Sequence, residues 1–110
     1  MPEAVKKCVE ETGGIEGLES MLPRTRMLKS KANIFHALSD ETRLKVISIL
    51  ARIPSCVCVI KEIVKIADSK LSYHLGLLKD AGLIGRKREK NWIIYSLTET
   101  GRRIAEDFDL

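Results

Sequence analysis

Apolar residues recur at helical spacing along most of the chain, and polar, glycine or proline positions interrupt them. Residues 1–14 are polar and end in Gly13-Gly14, which predicts a mobile arm or a poorly packed first helix. Ile15, Leu18, Met21 and Leu22 predict a helix that Pro23 stops. A second helix is expected over about 24–38, with Met27, Leu28, Phe35 and Leu38. Ser39-Asp40 reads as an N-cap, because a side-chain oxygen there satisfies an orphan backbone N–H. The helix behind it, about 41–52, carries Leu44, Ile47, Leu50 and Ala51, widened by Val46, Ile49 and Ile53, and should be largely buried.

Pro54-Ser55 predicts a break and a second cap, followed by a short helix over about 57–65 with Val59, Ile60, Ile63 and Val64. A helix over about 68–81 places Leu71, Leu75 and Leu78 toward a core and Ser69, Ser72, Tyr73 and Gly76 on the opposite stripe. Gly82 suits a left-handed cap. Leu83–Arg88 and Trp92–Leu97 flank Glu89-Lys90-Asn91 and predict a hairpin with Asn91 at positive φ. Thr98 is placed to cap a last helix over about 99–108, with Ile104 and Phe108 on one face. The fold class is therefore mainly α with a β-hairpin wing. A helix–turn–helix followed by a basic hairpin is a winged helix-turn-helix, whose second helix enters the DNA major groove. The terminal helices are more apolar than one small domain needs, so they should join two copies in a homodimer. The expected division is an arm, 1–14, and a winged-helix domain with dimerisation helices, 15–110.

Charge sharpens this picture. The chain has 110 residues, 19 Lys and Arg against 15 Asp and Glu, and 45% hydrophobic residues, which is globular composition. Residues 1–23 have net charge −3 and residues 98–110 net −2, whereas 24–60 carry +5 and 61–97 carry +4. A basic middle between acidic ends points to a polyanion partner. No stretch is long enough to span a bilayer and the first residues lack a signal-peptide core, so a cytoplasmic protein with no membrane partner is expected. An enzyme is not: no acid pair, phosphate loop or nucleophile elbow occurs, and the two histidines lie far apart, His36 at a packed helix entry and His74 in the DNA-binding helix.

The candidate DNA contacts are Ser69, Lys70, Ser72 and Tyr73, with Asp68 beside them, on the second helix of the pair. Short hydroxyls and a basic side chain reach base edges and phosphates. His74 adjoins this stripe, as a buttress or a phosphate contact. Arg86, Lys87, Arg88 and Lys90 would lie along phosphates or the minor groove and supply salt-dependent affinity. A dimer would read two half-sites about 34–36 Å apart, in a palindromic operator.

Three cysteines, Cys8, Cys56 and Cys58, make a paired disulfide framework unexpected. They read as free thiols, metal ligands, redox sensors or small buried hydrophobes. Cys56 and Cys58 open the short helix, where a helix N-terminus favours thiolate, the form that binds soft metals and metalloids. Residues i and i+2 point about 200° apart on an ideal helix, so both ligate one ion only if the first turn is distorted or begins later. Ligation would shift the start of this helix, which braces the recognition helix. In the redox reading the thiols oxidise instead, with Cys8 as resolving partner.

From about Ala32 to Leu97 the chain resembles the ArsR/SmtB family of metal-responsive repressors. The matching stretches are Ala37-Leu38-Ser39-Asp40-Glu41-Thr42-Arg43-Leu44, Cys56-Val57-Cys58, Leu71-Ser72-Tyr73-His74-Leu75, Leu77-Leu78-Lys79-Asp80-Ala81-Gly82-Leu83-Ile84 and Tyr95-Ser96-Leu97. The departures are Lys65 in place of a turn glycine, Ala67 in place of a capping Ser or Thr, and Asn91 in place of a wing glycine. The resemblance implies a repressor released from its operator when thiolates bind arsenite, cadmium or lead, with no metal required for folding. It also implies a third thiolate from elsewhere, for which Cys8 is the one candidate, from either copy. Glu106, Asp107 and Asp109 follow without a histidine, so the family's C-terminal metal site is not expected. A thiol-redox regulator and a protein-docking winged helix without DNA are the alternatives.

Overall fold

The computed structural model describes all 110 residues. Helices α1 (Glu3–Glu11), α2 (Gly14–Ser20), α3 (Thr25–Leu38) and α4 (Glu41–Arg52) come first. Strand β1 (Ser55–Cys56), helices α5 (Val57–Val64) and α6 (Asp68–Asp80), strands β2 (Ile84–Glu89) and β3 (Trp92–Leu97), and helix α7 (Glu99–Asp107) follow. A mainly helical chain closed by an antiparallel hairpin is the winged helix-turn-helix expected from the pattern.

Local chemistry explains most boundaries. The Asp40 carboxylate accepts the Arg43 N–H at 3.0 Å and starts α4. Gly82, at φ 75°, closes α6, and the Leu83 N–H returns to the Leu78 carbonyl. Thr98 Oγ1 accepts the Gly101 N–H at 3.1 Å to cap α7 and donates to the Gly82 carbonyl at 2.6 Å.

Two local expectations, the Ser55 cap and the hairpin turn, are corrected. Ser55 does not cap α5: it is buried in β1, its hydroxyl bonds the Ile53 carbonyl, and Cys56 takes the N-cap place without a side-chain bond. Helix α6 starts at Asp68 behind Ala67, with no side-chain cap bond. Lys65 ends α5 at φ 52°, so a lysine occupies the left-handed conformation that glycine would take without strain. In the hairpin, Glu89 belongs to β2, and Lys90, not Asn91, has positive φ, 56°.

The core lies between α4, α5, α6 and the sheet. Val46, Ile47, Leu50, Ile60, Leu71, Leu75, Leu78, Leu83, Ile84, Tyr95 and Leu97 are its main members. The three leucines of α6 face inward as their spacing requires. On α4 the buried face is Arg43, Val46, Ile47 and Leu50, while Ile53 is left exposed. The sheet order is β1-β3-β2, all antiparallel. Strand β1 has no counterpart in the sequence reading. Two residues carry no period, and only their partners on β3 make them a strand.

The first two helices are different. Helices α1 and α2 meet each other but make no extensive contact with any other element, and neither buries a residue. The radius of gyration is 19.5 Å and the longest extent 63 Å. A compact chain of this length would have a radius of about 13 Å.

Candidate nucleic-acid interface and cysteine pair

Helix α6 presents its polar stripe outward. Asp68, Ser69, Lys70, Ser72 and Tyr73 are all exposed, Tyr73 at 61%. The stripe is exposed because Leu71, Leu75 and Leu78 anchor the opposite face, which fixes the helix's rotation. Beyond its own turn of helix, nothing lies within 4 Å of a Cβ built on Gly76, so that position leaves open space on the helix surface. Asp68 also pairs with Lys61, tying the end of α5 to the first turn of α6.

His74 is placed differently from its neighbours. Its side chain is only 15% exposed, and Nδ1 lies 2.8 Å from Arg43 Nη1 and 3.9 Å from Asp40 Oδ2. A guanidinium only donates, so Nδ1 accepts and the neutral ring carries its proton on Nε2. Of the two roles expected for His74, the geometry is that of the buttress. Arg43 is 6% exposed and also donates from Nε to the Ala37 carbonyl at 2.7 Å and from Nη2 to the His36 carbonyl at 3.3 Å. One buried guanidinium thereby joins the end of α3, the start of α4 and the middle of α6. The Arg43 N–H donated to Asp40, with the nearby guanidinium, holds the Asp40 carboxyl below the ordinary aspartate range against the opposing effect of desolvation. The sequence reading gave Arg43 no role. Its signal was a charge set among the apolar positions of α4, three residues after the cap. The His36 ring, expected at a packed entry, is exposed, and only its carbonyl joins this network.

The wing carries Arg86, Lys87, Arg88 and Lys90, all exposed. Arg88 Nε donates to the Lys90 carbonyl at 3.3 Å across the tip. Trp92, 58% exposed beside this charge, was not singled out from the sequence.

The cysteines fall into two groups. Cys56 and Cys58 are joined by a disulfide, and Cys8 alone is free and exposed. An unpaired set of three was expected, so this is a correction. The pair meets because α5 begins at Val57: Cys56 sits in extended strand and only Cys58 lies on the helix. That removes the opposition of i and i+2 side chains on a helix. The ring is so short that it constrains the unfolded chain little, so the bond is a poor fold staple. Cys8 is not brought to the pair: no group of three metal-ligating side chains forms within the chain. Reduced, Cys56 and Cys58 are two soft donors close enough to share one ion. A third donor has to come from outside this set.

Helix α5 packs chiefly on α4, β1 and β3 rather than along α6. The Lys61–Asp68 pair, exposed at both ends, links α5 to α6. The more direct link from the cysteines leads to the wing. Cys56 pairs with Ile94, and Ile94 pairs on its other side with Lys87.

An exposed polar stripe on the second helix of a helix–turn–helix, flanked by a cationic hairpin, defines a winged-helix DNA-binding protein. Residues 40–85 match the family model described as bacterial regulatory protein, arsR family. The chain is 36% identical over 77 residues to the arsenical resistance operon repressor of Bacillus subtilis, covering 69% of this chain and 73% of that one. It is 36% identical over 69 residues to a cadmium resistance transcriptional regulatory protein CadC homolog of Staphylococcus aureus, covering 62% and 57%. Among solved structures, the homodimeric winged helix-turn-helix DNA-binding domain Mb0332 of Mycobacterium bovis superimposes with a TM-score of 0.72 at 24% identity, covering 81% of this chain and 86% of that one. The chain belongs to the arsR family of DNA-binding transcriptional regulators, which are not enzymes. No helix is long and apolar enough to cross a membrane.

Proposed function

We propose that this regulator represses transcription as a homodimer on a palindromic operator and leaves it when reduced Cys56 and Cys58 bind a soft metal or metalloid ion of the arsenite, cadmium or lead class. The observation that carries the reading is the meeting of two sulfurs at the junction of β1 and α5, one strand away from the wing. The names of the arsenical and cadmium resistance relatives support the same effector class. The Ser69, Lys70, Ser72 and Tyr73 stripe reads bases and phosphates, Arg86, Lys87, Arg88 and Lys90 hold the backbone, and Arg43 with His74 positions the helix.

Ligation requires the disulfide to be opened first. A cellular dithiol takes the place of the bond, leaving two protein thiols and becoming a disulfide itself, with two electrons and two protons balanced. The thiolates then draw Cys56 and Cys58 about one ion, and the displacement passes through the Cys56–Ile94 pairing into β3 and through Lys61–Asp68 into α6. Binding weakens the DNA complex only as far as the ion prefers the DNA-free state. Cys8 of either copy is the proposed third ligand.

The test is a Cys56→Ser, Cys58→Ser chain in a gel-shift titration. Operator binding should match that of the parent protein, and release by arsenite or cadmium should disappear. A variant still released places the sensor elsewhere. The disulfide itself supports a second reading, in which oxidation is the signal. Diamide in the absence of any metal would then release the parent chain and spare the variant. Failure of the parent chain to shift DNA at any salt concentration would leave only a docking role.

A further inference from the structure

Residues 86–93 at the tip of the wing are all exposed, bounded by half-buried Gly85 and Ile94, so the hairpin projects beyond the core. Four of them, Arg86, Lys87, Arg88 and Lys90, are cations without an ion-pair partner, against one anion, Glu89. Two others are large and apolar: Trp92, 58% exposed, and Ile93, 39% exposed. Neither belongs to the core or packs against it. The chain's one ring pair is Tyr73 with His74, so no ring covers the indole. Successive strand residues point to opposite faces of a sheet, and cross-strand partners share a face. Trp92, opposite Glu89, therefore shares one face of the ribbon with Ile94 and Lys87. Ile93, opposite Arg88, stands on the other face with Tyr95 and Arg86. Cations alone would keep this tip solvated. An indole and a branched side chain on its two faces remain in water until a partner covers both.

We propose that Trp92 enters the DNA minor groove as an apolar wedge, with Ile93 against the opposite wall, beside the major-groove segment that α6 reads. The proposal rests on the DNA contacts proposed above and adds to them one that carries no charge. Charge and shape select the occupant. The cations around the wedge fit a polyanion. A flat partner covers one face of a projecting ribbon, whereas a groove covers both. Strand β2 packs on α6, so the tip continues the surface formed by Ser69, Ser72 and Tyr73. Glu89 repels phosphate and stands opposite Trp92, which turns that edge toward sugars and bases. The minor groove is about 6 Å wide, so an indole entering it must widen it. Apolar side chains inserted there partly unstack a base step and kink the duplex, and the phosphate contacts of the wing offset that cost. Pyrimidine–purine steps yield most easily, which gives the wing a sequence preference without hydrogen bonds to bases.

Trp92 is the only tryptophan, so the chain's indole emission reports on this residue alone. Binding of the parent chain to a duplex from its own promoter should shift that emission and lower the access of acrylamide to the ring. Trp92→Ala should match the parent by circular dichroism, because the side chain is exposed. It should bind the duplex roughly tenfold more weakly, about 1.4 kcal/mol. Its slope of log affinity against log salt should equal the parent's, because no phosphate contact is lost. Trp92→Phe should recover most of the affinity, since a phenyl ring still presents an apolar face to bases. Energy transfer between dyes on the duplex ends should show more bending by the parent than by the alanine variant. An indole as open to acrylamide in the complex as in the free chain overturns the wedge, and so does an alanine variant that binds like the parent. A flattened salt slope for that variant also overturns it, and makes Trp92 a support for the cations. Shielding of the ring by vesicles of anionic phospholipid, and not by the duplex the chain binds, overturns the minor groove as its place. A parent chain that binds no duplex at any salt removes the DNA reading together with the wedge.

Discussion

Arg88 and Lys90 sit at the tip of the wing, exposed and linked only by the Arg88 Nε bond to the Lys90 carbonyl. Arg88→Gln with Lys90→Asn removes both charges and leaves asparagine, which tolerates positive φ, at the 56° position. In a dimer four charges go. If each neutralises one phosphate, the slope of log affinity against log salt should flatten by about 3.6, at ~0.9 per contact. Between about 50 and 200 mM salt the parent protein would then lose roughly 150-fold more affinity than the variant. Fluorescence anisotropy with a labelled duplex of mixed sequence reads this directly, because the phosphate contribution is independent of sequence. The decisive quantity is the slope rather than the affinity at any one salt. A variant that binds more weakly at every salt with the parent's slope would mean that the wing acts on the fold and not on phosphates.

Arg43→Met keeps the buried stem but strands the Ala37 and His36 carbonyls and His74 Nδ1. At about 1 kcal/mol for each lost bond the cost is about 3 kcal/mol, read as a lower urea midpoint; a loss below about 1 kcal/mol would show that the network adds little. Asp40 has its folded pKa lowered from its ordinary 3.8, so its contribution to stability is present above that value and is lost as pH falls through the folded value. Urea midpoints measured from neutral pH down through that window should fall less for Asp40→Asn, which keeps a capping oxygen, than for the parent. Gly76→Ala enters open space in mid-helix and should stabilise the chain by about 0.5–1 kcal/mol. A simultaneous loss of operator affinity would place DNA against that position, and unchanged affinity would exclude such close approach.

Much of this protein was legible without coordinates, and the reason is locality. Helix α4 begins and ends where its cap and apolar spacing place it, and α6 buries Leu71, Leu75 and Leu78 because residues three and four apart share a face. The same period leaves Ser69, Ser72 and Tyr73 on the outside. Those relations reach no further than one helical turn. Ser55 and Cys56 become a strand only because Tyr95 and Ile94 arrive beside them from 38 to 40 residues away. That pairing holds the backbone extended up to Val57, which lets two sulfurs two residues apart meet. Arg43 gains its meaning from His74 and two carbonyls of another helix, none of which its own surroundings in the sequence specify. The residue types offered for chemistry were therefore set by the chain as written. Tertiary packing decided which of them share a site, because contacts between distant segments depend on how whole faces bury against one another.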